Sequence, residues 1–159
     1  MNRINGWIFD VYADEQGMVV WVIDTEGVAH QVRDTLSPSF FVFGSSADLH
    51  TVCVMLSSAQ LPVRLHRAER HDLFLRRDLI LLEVQVLRPL LFASIFARVR
   101  TFRPALTYYN ADLAPAQFYY FEKGLFPLAC CEIQTNASGW ITDLASRTRA
   151  GIWSTGCHP

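Results

Sequence analysis

Between Gly6 and Asp34 apolar positions alternate with polar ones or run together in three short stretches, GWIFDVYAD, MVVWVID and VAHQVRD, broken by EQG and TEG. Runs of this length with a period of two read as strands, and a glycine at each break supplies the positive φ that a tight hairpin needs. The pattern predicts an antiparallel β meander over residues 1–38. After LSPS the period changes. FFVFG reads as a strand, and SSADLHTVCVMLSSAQ puts Leu49, Val52, Cys53 and Leu56 at helical spacing behind a Ser45 or Ser46 cap. PVRLHRAER and DLILLEVQV read as strands joined by HDLFLRR, RPLLFASIFARVRTF as a second helix, and ALTYYNAD as a last strand. The order over residues 39–111 is β-α-β-β-α-β, the split βαβ of ferredoxin-like and RNA-recognition folds.

Residues 112–159 make a third segment. A helix from about Leu113 to Lys123, with a proline inside it, is stopped by Gly124 where a left-handed cap belongs. PLACCEIQ and GWITDLAS then read as a short β tail around a TNASG turn. The fold class is therefore α+β: meander, ferredoxin-like unit, connecting helix and tail.

Composition changes this picture in one respect. Of 159 residues 51% are apolar and 18% charged, enough for a real core but with a charge-poor surface that suggests missing neighbours. The formal net charge of −1 gives no global attraction for nucleic acid, so any phosphate contact must come from a local cluster. Thirteen of the fourteen basic residues are arginine, a bias that fits codon usage better than phosphate recognition. No run reaches about 18 apolar residues and no signal-peptide core stands at the N-terminus, so no membrane association is expected and the expected location is cytoplasmic. The NAS sequon at Asn136 then has no role in glycosylation.

Candidate chemistry is sparse. Cys53, Cys130, Cys131 and Cys157 lack Cys-x-x-Cys spacing, which argues against zinc. His30 and His50 have no second ligand nearby, and Ser37, Ser39 and Ser45 stand in no nucleophile elbow. RLHRAERHD, Arg64 to Asp72, is the one basic stretch. On a strand Arg64, His66 and Ala68 face one way and Leu65, Arg67 and Glu69 the other, so its charge is not segregated. An RNA-recognition platform needs aromatic residues on both central strands, and DLILLEVQV has none.

Two stretches carry a family resemblance. GWIFDVYADEQGMVVWVIDTEGVAHQVRDTLSPSFFVFG resembles the opening of family-B DNA polymerases, in which an aspartate-containing first strand leads through a hairpin to a proline-plus-aromatic strand. NADLAPAQFYYFEKGLFPL is similar to that family's Asp-Ile-Pro-Phe-Ala-x-Arg-Tyr-Leu-Ile-Asp-Lys-Gly-Leu-x-Pro segment. Asp112, Ala116, Tyr119, Lys123, Gly124, Leu125 and Pro127 fall in register over a resemblance that spans about Gly6 to Pro127. In that family the second segment closes the amino-terminal domain ahead of a 3′-5′ exonuclease whose first motif is Asp-x-Glu. Glu132 and Asp143 stand in no such triplet, so the chain is expected to stop before the exonuclease.

The resemblance implies a non-catalytic amino-terminal domain that scaffolds and guides single-stranded template DNA, with no cofactor of its own. The parent is expected to be a DNA-directed DNA polymerase with 3′-5′ exonuclease, and Mg2+ belongs to that parent. Its exonuclease and polymerase domains are the expected partners, with Tyr119, Tyr120, Phe121, Leu125 and Phe126 as the interdomain packing face and self-association of the chain as a consequence. Archaeal members use a pocket here to capture uracil in the template, and by register its positions are Ala13, Pro38, Ser39, Leu81, Leu113, Ala114, Pro115 and Phe118. Ser39 replaces an aromatic residue, Leu81 a smaller valine and Phe118 an arginine, so specific uracil capture is not expected. The competing class is a free-standing ferredoxin-like regulatory or ligand-binding module.

Overall fold

The structure, a computed structural model, describes residues 2–72 and 77–147, and the side chains of 2–68 and 80–147. In chain order the elements are β1 (Asn2–Asp14), β2 (Gly17–Asp24), β3 (Ala29–Asp34), β4 (Ser39–Gly44), α1 (Ser46–Ser58), β5 (Val63–Asp72), β6 (Arg77–Val86), α2 (Phe92–Phe102), β7 (Thr107–Tyr109), α3 (Pro115–Glu122), β8 (Cys130–Thr135) and β9 (Ile141–Ser146). They form two compact units, residues 1–36 with 115–159 and residues 37–114.

The first unit is a five-stranded antiparallel sheet in the order β3-β2-β1-β8-β9. β1 outruns the alternation that predicts it, because its first half, Asn2 to Trp7, pairs with β8 and its second, from Gly6 onward, with β2. The expected C-terminal tail thus continues the meander's own sheet. β9 also returns to the opposite edge, where Arg33 bridges Trp140 in parallel and the Arg33 amide donates to the Gly139 carbonyl at 2.9 Å. This is the strand order of a partly closed OB-type Greek-key barrel. Ile8, Met18, Val20, Val22, Cys131 and Ile133 fill it, and burial raises the Cys131 thiol to about 11.

Local chemistry fixes the turns. Asp24 accepts the Glu26 and Val28 amides at 2.9 and 2.8 Å and holds the His30 ring at 2.7 Å, so His30 serves the second hairpin. Asp14 accepts the Gln16 and Gly17 amides and pairs with Arg33 at 2.7 Å. The Arg33 hydrogen bond, reinforced by the Gln16 amide, holds the Asp14 carboxyl down to about 2. A carboxylate lowered on folding stabilises the native state above its unfolded value near 3.8, and that contribution fades as pH falls from there towards 2. An acid titration followed by NMR should show Asp14 titrating well below free aspartate, and Arg33→Ala should return it towards the ordinary value. An unchanged Asp14 titration in that variant would contradict the pairing.

The second unit is a four-stranded antiparallel sheet in the order β5-β6-β4-β7, the ferredoxin-like arrangement expected from βαββαβ connectivity. α1 starts behind Ser45, whose hydroxyl accepts the Asp48 amide at 3.2 Å. Leu49, Val52 and Leu56 of α1 and Phe92, Ile95, Phe96 and Val99 of α2 are buried, as are Phe40, Val42, Leu82, Val84 and Val86 of the sheet. Phe40 meets Phe92 and Phe96 edge-on at 5.8 and 5.3 Å. The stretch expected as one continuous helix is divided: Pro89–Leu91 is a 3-10 turn, and the α-helix begins at Phe92. β7 is only three residues long, and Asn110 adopts a positive φ of 58° just after it. Most of the expected HDLFLRR linker lies outside the described residues.

Among the described residues no helix is long and apolar enough to cross a membrane.

Candidate nucleic-acid interface

The segment that carries the strongest resemblance is an anchoring device. α3 begins at Pro115, whereas the sequence pattern places a proline inside the helix. Proline is favoured at the first helical position because an N–H there would have no partner within the helix. One turn on, Tyr119 is fully buried, and its hydroxyl donates to Asp34 Oδ2 at 2.8 Å. Lys123 Nζ stands 3.3 Å from the same oxygen and lies over the Tyr119 ring. The Thr35 amide satisfies Asp34 Oδ1 at 2.8 Å. Burial first, and the neighbouring Asp34 carboxylate second, push the Tyr119 phenol far above its ordinary range.

The end of α3 is a Schellman motif. Gly124 at φ 65° donates to the Phe121 carbonyl at 3.1 Å, and Leu125 donates to the Tyr120 carbonyl at 2.8 Å while its side chain is buried in the first unit's core. Ala116, Tyr119, Lys123, Gly124 and Leu125 of the matched motif are thereby all given physical work in seating one helix on one sheet. Asp112 and Pro127 are exposed.

This placement changes the reading of the expected packing face. Tyr119 and Leu125 face their own core, and Tyr120 is half-buried beside it. Phe121 at 86% and Phe126 at 54% are exposed, joined by Leu128 at 66%. Sequence reasoning missed Asp34, the only buried acidic side chain among the described residues, because nothing near it in sequence marks it as the partner of a tyrosine 85 positions away.

The register-derived pocket positions fall on both units. Ala13, Pro115 and Phe118 belong to the first; Ala13 and Phe118 pack against its core. Pro38, Ser39, Leu81, Leu113 and Ala114 belong to the second. There Pro38 is buried, and its carbonyl accepts the Val86 amide at 2.8 Å. Ser39 donates to Glu83 Oε1 at 2.7 Å, and Leu81 is half-buried opposite Phe43. Leu113 and Ala114 are exposed.

The strand registers give the second unit's sheet an outer face that the helices leave uncovered. Phe40, Val42, Leu82 and Val84 point inward, so Ser39, Phe41, Phe43, Leu81, Glu83 and Gln85 point outward. β7 adds Thr107 and Tyr109 beside Phe43 and Phe41, and Phe43 meets Tyr109 edge-on at 5.1 Å. β5 adds Arg64 and His66 opposite Gln85 and Glu83, and Arg67 turns to the helix side, where it donates to Ser46 Oγ at 2.8 Å.

No family model matches the sequence, and no curated protein does. Among solved structures the chain is similar to the family B DNA polymerase from the hyperthermophilic archaeon Pyrobaculum calidifontis, with a TM-score of 0.63 and 19% identity. The match covers 98% of this chain and 21% of that one, so the chain spans about a fifth of the polymerase's length. At this identity the likeness is one of fold, and it runs through both units.

Proposed function

We propose that this chain is the amino-terminal domain of a family-B DNA polymerase, a non-catalytic part that scaffolds the enzyme and guides single-stranded template. The observation that carries the reading is the coincidence of two independent likenesses: a polymerase fold across 98% of the chain, and a sequence motif whose conspicuous residues prove to be those that seat α3. In this reading Mg2+ belongs to the catalytic domains of the parent.

The template role is tested by fluorescence anisotropy with single-stranded oligonucleotides that differ by one uracil for thymine. Binding at low salt that weakens sharply towards physiological salt is expected, since non-specific affinity comes from phosphate neutralisation. Uracil and thymine should bind alike, because Leu81 stands where the resemblance has a smaller residue and Phe118 where it has a bracing arginine. A preference of about tenfold, roughly 1.4 kcal/mol, would show that the register assigns the wrong residues.

Phe121, Phe126 and Leu128 are exposed apolar side chains, and in this reading the parent's exonuclease packs on them. Large exposed apolar patches mark interfaces, so the chain by itself is expected to self-associate. Sedimentation should show a dimer or larger species that dissociates in Phe126→Asp. A monomer at all accessible concentrations would remove this surface from the proposal.

A further inference from the structure

The formal charge of −1 conceals a division. Residues 37–114 contain nine arginines and six Asp or Glu, a net of +3, and the rest of the chain contains five basic and nine acidic residues, a net of −4. Two outward sheet faces therefore compete as binding surfaces. The OB-type sheet exposes Phe9, Tyr12 and Ile23 on the more acidic unit, whose net of −4 disfavours a phosphate backbone. The ferredoxin-like sheet has aromatic residues on the basic unit.

We propose that single-stranded DNA lies across the outer face of the β5-β6-β4-β7 sheet, with bases stacked on Phe41, Phe43 and Tyr109 and the backbone directed along β5 by Arg64 and His66. The proposal rests on the template-guiding reading and names its surface. Sequence reasoning looked for aromatic residues on both central strands and found none on β6. The fold supplies the missing ring from β7, because Tyr109 pairs with Phe41 in the register and stays 53% exposed. Base stacking is tolerant of sequence, since every base presents a π-face. Glu83 occupies the middle of the face. It accepts from Ser39 at 2.7 Å and lies opposite His66, so bases would run on the β4-β7 side of it and phosphates on the β5 side.

The experiment is anisotropy of the whole chain with a labelled oligothymidine of about 12 nucleotides, within the range a single domain covers. Tyr109→Ala and Phe41→Ala are each expected to weaken binding about tenfold. Arg64→Glu should flatten the dependence of log K on log salt by about 0.7, one phosphate contact on a single strand. Tyr12→Ala, on the acidic unit, should leave affinity unchanged. Phe41 is half-buried, so Tyr109→Ala and Arg64→Glu, both at exposed positions, carry the test if Phe41→Ala does not fold. If the wild type binds and these two variants bind equally well, the surface is wrong and template guidance stands. If the wild type does not bind at low salt, template guidance fails and this surface with it.

Discussion

Tyr119→Ala is expected to lower the unfolding free energy of the first unit by about 3–5 kcal/mol, the cost of emptying a large aromatic site in a packed core. Tyr119 is fully buried against both β-sheet and helix residues of that core, so little collapse can refill the space. Tyr119→Phe keeps the ring and removes only the hydroxyl, leaving Asp34 with the Thr35 amide and Lys123. That loss should cost about 1–3 kcal/mol, the penalty for a buried acceptor that loses a donor. Trp7, Trp21 and Trp140 belong to the first unit and residues 37–114 contain no tryptophan, so urea unfolding followed by tryptophan fluorescence reports the first unit selectively. A pH series adds a signature that cavity formation lacks. The fold holds the phenol neutral with a raised pKa, so its contribution is complete below about 10, the ordinary tyrosine value, and falls as pH rises beyond it. Tyr119→Phe should remove that alkaline fall. A loss below about 1 kcal/mol in Tyr119→Ala would mean that α3 is not anchored through this side chain.

The second large effect is expected at Gly6, which β1 presents to both β2, opposite Asp24, and β8, opposite Cys131. A Cβ added there would collide with the Ile23 carbonyl oxygen and stand 2.8 Å from the Asp24 Cα, both backbone atoms. No rotamer change relieves that contact, so the ladder between β1 and β2 must open locally. Gly6→Ala should therefore cost about 3 kcal/mol or more, at the upper end of overpacking penalties. Gly27→Ala is the control. Gly27 has φ 83° but nothing within 4 Å of an added Cβ, so only the left-handed conformation is penalised, at about 1–2 kcal/mol. Chemical denaturation of the two variants separates steric from conformational cost, and equal losses would contradict the crowding at Gly6.

Much of the fold was legible in local pattern. The two hairpin breaks, the Ser45 cap, the βαββαβ order and the Gly124 stop were all readable because each is governed by residues within a few positions of one another. The same locality explains the misplaced boundaries. RPLLFASIFARVRTF looks uniformly helical by periodicity, yet its first turn, Pro89–Leu91, is 3-10 and the α-helix begins only at Phe92. The segment around Tyr119 was recognisable as a motif, but its aromatic residues were assigned to an outward packing face. A run of apolar residues shows that something is covered and not which residue faces the core.

What the sequence determined by itself, then, is the set of elements, the α+β class and a motif dense enough to suggest its family. What only the tertiary structure decided is every relation between residues far apart in the chain. Pairing of β1 with β8, the return of β9 to β3, the Tyr119–Asp34–Lys123 contact and the arrival of Tyr109 beside Phe41 all join such segments. Period-two alternation marks which face of a strand is buried and carries no record of its neighbour. For the same reason a net charge of −1 read along the chain becomes +3 and −4 when the fold sorts those residues into two bodies.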